Sequence, residues 1–225
     1  MVFILSACAT APEGERWDEV PMYGQPAVPR PLAQRNGDEQ FIHDASKVFG
    51  GDRKKACQAW ASKGDEEFNN GNTGIAMRRY NEAWLLDPDS YLPYWGFGRV
   101  LLEEGKTDEA LGYFEKSTKL IDDAYQKPAL LTDLGTAYAV KVESLPADQA
   151  DERAKYSQLS DQSYDEALHL DPTYVGAWRR WAMSLYREAR YAESWQKVKK
   201  AQEAHAAPLP EKFLQDLAAK LPEPP

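Results

Sequence analysis

Two stretches of this chain repeat one pattern: YNEAWLLDP from Tyr80 to Pro88 and YDEALHLDP from Tyr164 to Pro172. Each places an aromatic ring and an alanine three residues apart, on one face of a helix. Each ends in proline, which has no N–H to donate and stops a helix from running on. A recurrence of this kind outranks local propensity in deciding a fold. Counting back from Pro88 on a frame of about 34 residues puts Trp60, Gly64, Ala76, Tyr80 and Ala83 at positions 4, 8, 20, 24 and 27. A first unit therefore spans 57–90. The next follows at once over 91–124, with Tyr94, Gly98, Ala110 and Phe114 at positions 4, 8, 20 and 24.

A third unit runs over 128–174. Leu131, Leu134, Gly135 and Tyr138 lie on its first helix, and Tyr164, Ala167 and Pro172 frame its second. About 13 extra residues separate the two, near 142–158, and either lengthen both helices or form a surface loop; a polar lengthening is the expected outcome. A fourth unit over 175–208 keeps Trp178, Tyr191 and Ala201, with Ala182 where glycine is expected. Small residues at positions 8 and 20 let two antiparallel helices approach, and a small residue at 27 admits the next pair. Polar turns fall where the frame needs them, at Asn69 to Gly71 and Glu104 to Lys106, and Thr107 is expected to cap the helix that follows.

These positions resemble the consensus of the tetratricopeptide repeat (TPR) family over 57–208. The resemblance implies an all-α fold, a superhelix or solenoid of antiparallel helix pairs, whose concave groove binds an extended peptide. Phe213, Leu214 and Leu217 form one stripe of a helix expected within 209–221, which would cover the last apolar face. Before the repeats, Phe41, Ile42, Ala45, Val48 and Phe49 share a helical face within 38–51, ended by Gly50 and Gly51. That gives a leading helix, followed by the repeat region over 52–208.

Met1 to Cys8, MVFILSAC, is apolar and closes on small residues before a cysteine. It resembles a bacterial lipobox, which implies cleavage before Cys8 and lipidation of its thiol. Ala9 after that cysteine, in place of aspartate, implies the periplasmic face of the outer membrane. Residues 9–37 carry Pro12, Pro21, Pro26, Pro29 and Pro31 and read as an extended tether reaching about 90 Å at ~3.1 Å per residue. Trp17, Met22 and Tyr23 are unusual in a spacer and are expected to pack back on the folded body, or else to form a short docking motif. A Cys8–Cys57 disulfide is the competing use of the two cysteines.

The formal net charge of −9 argues against nucleic-acid binding through a basic surface. Gly105-Lys106-Thr107 is not a phosphate loop, because the glycine required at position 100 is valine. His43, His169 and His205 stand alone, with no zinc spacing, and no nucleophile elbow is present. No cofactor, metal or catalytic group is expected, and the chain reads as a binding protein rather than an enzyme. Through the TPR frame, the groove would carry Trp95, Arg99 and Leu102 from the second unit. Arg179, Met183, Tyr186 and Arg187 would come from the fourth, with Ala129, Thr132, Thr136 and Ala139 between them. Three arginines on an apolar shelf suit a peptide bearing carboxylates, or else pair with neighbouring Glu and Asp of the array. The expected function is a lipid-anchored adaptor or assembly factor for a periplasmic or outer-membrane protein. The alternatives are a regulator of a peptidoglycan enzyme, a pilotin-like factor for a pilus or secretion system, and a self-associating structural element.

Overall fold

The computed structural model describes residues 16–224, so the lipobox and Cys8 lie outside the described residues. The described residues are all-α, with ten helices and no strand. The helices are α1 (Leu32–Val48), α2 (Arg53–Asn69), α3 (Thr73–Leu86), α4 (Tyr91–Glu103), α5 (Thr107–Leu120), α6 (Lys127–Ser144), α7 (Ala150–Leu170), α8 (Gly176–Arg187), α9 (Tyr191–Glu203) and α10 (Glu211–Lys220). The described residues form two compact units, 16–100 and 101–224, and each is described by itself.

In the first unit α2 and α3 pack as an antiparallel pair, with α1 against both. The closest approach is at Gly64. A Cβ there would lie 2.5 Å from the Tyr80 ring, and one at Gly96 of α4 would lie 2.3 Å from the same ring. Tyr80 is 1% exposed, and its hydroxyl donates to Asp65 at 2.8 Å. Ala76 and Ala83 are fully buried. Cys57 is a free thiol beside Ala56, Ala61, Ala83 and Leu86, and burial pushes it up to about 11. Trp60 is half-buried and meets Phe41 of α1 edge-on at 5.5 Å. The carbonyl of the exposed Pro88 accepts from Tyr94, so this proline terminates α3 and also fixes the next ring.

The second unit repeats the device. A Cβ on Gly135 would lie 2.9 Å from Tyr164, which is fully buried between α6 and α8. Its hydroxyl bonds Thr136 at 2.8 Å and Ser184 at 2.9 Å. In the fourth unit the aromatic is replaced by Val198, and Ala182 then fits where glycine was expected, with Ser194 donating to its carbonyl at 2.7 Å. Ala110, Phe114, Ala167 and Ala201 are buried, while Pro172 is exposed. The extra residues of the third unit lengthen both helices, giving α6 18 residues and α7 21. Arg153 secures the extension by donating to the carbonyls of Val142 at 2.6 Å and Leu145 at 2.7 Å at the end of α6.

Three expectations are corrected. The leading helix starts at Leu32, six residues before 38, because Pro31 has the fixed φ of a helix N-terminus and good helix formers follow. Within the tether expected over 9–37, the described residues from 16 on are not extended throughout: Trp17–Glu19 and Pro21–Gly24 form short 3-10 turns packed on α3. Thr107 is the first residue of α5 rather than its cap; the preceding position is Lys106, and Asp108 and Glu109 occupy the first turn.

Candidate functional site

The groove residues named from sequence are not bare. In the first unit Arg99 of α4 donates to Asp65 at 2.7 Å and to Asn69 at 3.3 Å, with its guanidinium 4.3 Å from the Phe68 ring centroid. Asp65 thereby takes both the Tyr80 hydroxyl and the Arg99 guanidinium, which ties the groove arginine to the glycine–tyrosine contact beneath it. Trp95 is half-buried and lies 6.5 Å from Tyr91. Gly98 is buried.

In the second unit Leu102 is half-buried at the end of α4. Arg179 donates to the Pro208 carbonyl at 2.8 Å, and Arg187 pairs with Glu143 at 2.8 Å. The apolar side chains Met183 and Tyr186 of α8 are half-buried against neighbouring helices. Tyr186 meets Phe213 of α10 edge-on at 5.6 Å, and Met183 packs into the cluster of Trp195, Val198, Phe213 and Leu217. Ala129 and Thr136 are half-buried, while Thr132 and Ala139 are fully buried. Arg99 and Arg187 thus pair with carboxylates of the array, while Arg179 is held by a main-chain carbonyl. A carboxylate ligand at any of them would first have to displace a protein partner.

On a different face of the second unit, a largely buried aromatic stack lies beneath a lysine-lined cavity. Tyr164, Trp181 and Trp178 stack in near-parallel steps, at 5.6 Å and 10° and then at 5.7 Å and 8°. Lys197 of α9 caps the stack, 3.2 Å from the Trp181 centroid and 5.3 Å from that of Trp178. Its partial burial lowers the Lys197 pKa, against the pull of Asp165 and Asp161. Lys199 and Lys200 follow on the same helix. Lys200 holds Glu203 at 3.0 Å, and Lys199 has no ion pair among the described residues. Trp178 and these lysines line a cavity of about 370 Å³ with Gln196 and Glu203. A neighbouring cavity of about 420 Å³ shares Gln196 and Lys199 and is closed by Glu223 and Pro224 of the C-terminal segment. That segment is fixed by the Trp195 indole N–H, which donates to the Leu221 carbonyl at 2.8 Å.

Next to this face lies a charge cluster around the buried Glu188. Glu188 accepts from Ser157 and from Arg190, and Arg190 also holds Asp161 at 2.8 Å and Glu193. Burial raises the Glu188 carboxyl, and the bonds to Glu193 raise the Arg190 pKa. The cluster pins the lengthened α7 to the α8–α9 turn. Among the described residues no group of three or more His, Cys, Asp or Glu is placed to hold a metal ion. The sequence reading passed over Gly96, Asn81 and the run Lys197-Val198-Lys199-Lys200. The last was visible as a basic run in a chain of charge −9.

No protein-family model matches the chain, and no curated protein matches it. Among solved structures it is similar to a crystal structure of MamA, at 16% identity and a TM-score of 0.47, covering 84% of this chain and 99% of that one. A second MamA protein structure gives 16% identity and a TM-score of 0.48, covering 79% of this chain and 93% of that one.

Proposed function

We propose that this protein is a non-catalytic TPR-type scaffold that binds an acidic segment of another protein through the α8–α9 face. The observation that carries this reading is the contrast between that face and the expected groove. Arg99, Arg179 and Arg187 are already engaged, whereas Trp178, Lys197 and Lys199 border an open cavity. On a chain of net charge −9, such an island attracts carboxylates and repels little of its own kind. The half-buried Trp178 indole beside it supplies apolar contact area.

The scaffold is held, in this reading, at the periplasmic face of the outer membrane by a lipid on Cys8. Support comes from the LSAC sequence at Leu5 to Cys8. No helix among the described residues is long and apolar enough to cross a membrane.

The test compares two charge-reversed pairs in affinity capture from cells with quantified partner yield. Lys199→Glu with Lys200→Glu lowers the yield at least tenfold, while Arg99→Glu with Arg179→Glu, which breaks internal pairs, changes it through stability alone. A partner lost only in the second pair, with helicity retained, returns the binding site to the groove. Cys8→Ala moves the chain from the membrane fraction to the soluble one; a wild type that is already soluble removes the anchor.

A further inference from the structure

Residues 17–33 form a strap whose two sides differ in chemistry. Its inner side is tied to the first unit. The Asn81 side chain of α3, fully buried, donates to the Asp18 carbonyl at 3.1 Å and to the Val20 carbonyl at 2.9 Å. Arg78 lies 3.8 Å from the Asp18 carboxylate and 3.9 Å from that of Glu19. Arg30, the single charge between Pro26 and Ala33, turns inward: its side chain is 6% exposed and grips Asp38 with both Nε and Nη2. Its guanidinium sits 4.9 Å from the Trp17 ring centroid and 4.0 Å from that of Tyr23, so residues 29–31 and Trp17 are neighbours.

The outer side is apolar. Trp17 is 46% exposed and Leu32 65% exposed, and Pro29 and Pro31 are exposed beside them. We propose that this edge rests on a lipid surface, with Trp17 and Leu32 in the bilayer interface. Three features favour lipid over a protein partner. Pro26, Pro29 and Pro31 have no backbone N–H to desolvate, which lowers the cost of contact with a medium poor in water. Tryptophan is the side chain that favours the membrane–water boundary. Finally, Trp17 is nine residues from Cys8, a reach of at most about 32 Å at ~3.6 Å per residue, so a chain anchored at Cys8 cannot carry this edge far from the bilayer. The last point rests on the proposed anchor, and the experiment below separates the two.

The full chain is coupled through Cys8 to a maleimide-headgroup lipid in phosphatidylcholine/phosphatidylglycerol vesicles, with plain or dibrominated acyl chains. Cys57, 1% exposed, is shielded from the reagent. Brominated lipid is expected to quench wild type more than Trp17→Phe, by up to the emission of one tryptophan among seven. Leu32→Glu is expected to reduce that difference at least twofold. Equal quenching of wild type and Trp17→Phe overturns the proposal, and loss of an in-cell protein crosslink in Trp17→Ser would then assign the edge to a protein. Because the coupling is chemical, these results do not depend on lipidation in the cell; fractionation of Cys8→Ala judges the anchor separately.

Discussion

Gly64→Ala isolates the contact on which the helix pairing depends. The added Cβ would lie 2.5 Å from the Tyr80 ring, about 1 Å inside ordinary van der Waals contact. The ring has little room to yield, since its hydroxyl is held by Asp65 at 2.8 Å and a Cβ at Gly96 would stand 2.3 Å away. Overpacking of a buried site costs about 1–3 kcal/mol, and the rigid ring places this site at the upper end. Alanine returns about 1 kcal/mol of helix propensity, so the net loss is about 2 kcal/mol. With a urea slope of about 2 kcal/mol/M, the midpoint falls by about 1 M at unchanged slope. Gly112→Ala is the control, because nothing lies within 4 Å of its Cβ position in the exposed face of α5. It should stabilise by about 0.5–1 kcal/mol. Tyr80→Val in the Gly64→Ala background reproduces the Ala182 and Val198 combination and should recover at least about 1 kcal/mol relative to additivity. A neutral or stabilising Gly64→Ala, matching Gly112→Ala, refutes the close-approach account.

Gly71, Gly105 and Ala189 occupy the same position in their units, with φ of 79°, 75° and 60°. Ala189→Gly should therefore raise stability by about 0.5–1 kcal/mol in the same denaturation assay. Arg153→Ala removes the donor to the Leu145 carbonyl and leaves that of Val142 with the Leu145 N–H alone, and should cost about 1–3 kcal/mol, with amide exchange rising first around 142–150. Burial lifts the Tyr164 hydroxyl from 10.0 to about 12. The folded chain thus keeps a proton that the unfolded chain loses, so stability falls as pH rises from about 10 to about 12. Tyr164→Phe should flatten that part of a pH–stability profile. The Cys57 thiol, raised to about 11 and buried, should resist alkylation at pH 8 until the first unit opens, so its labelling rate should follow denaturant rather than pH.

The repeat frame was legible because its information is steric and periodic. Gly64 with Tyr80, Gly135 with Tyr164, and the buried alanines at 76, 83, 110 and 167 are all residue types dictated by the space between helices. The turns at Gly71 and Gly105 were legible for the same reason. Pairing was not, since a family frame gives the height of Arg99 or Arg179 on a helix but not the acceptor that reaches it. Asp65, four residues before Asn69 on α2, and Pro208, beyond α9, come within range only when the helices are assembled. The strap was misread as a spacer because its proline content favours extension locally. What overrides that preference is Asn81, a single side chain more than sixty residues away that donates to two main-chain carbonyls. The α8–α9 face was passed over because its stack joins residues from three helices, Tyr164, Trp181 and Lys197.

A photo-crosslinking side chain at Gln196, which lines both cavities beside Lys199, tests the proposed binding face most directly in intact cells. One discrete protein adduct is expected, abolished by Lys199→Glu with Lys200→Glu and unaffected by a crosslinker moved to Leu102. An adduct that survives the charge reversal, or one that forms at Leu102 and never at Gln196, would contradict the assignment of partner binding to α9.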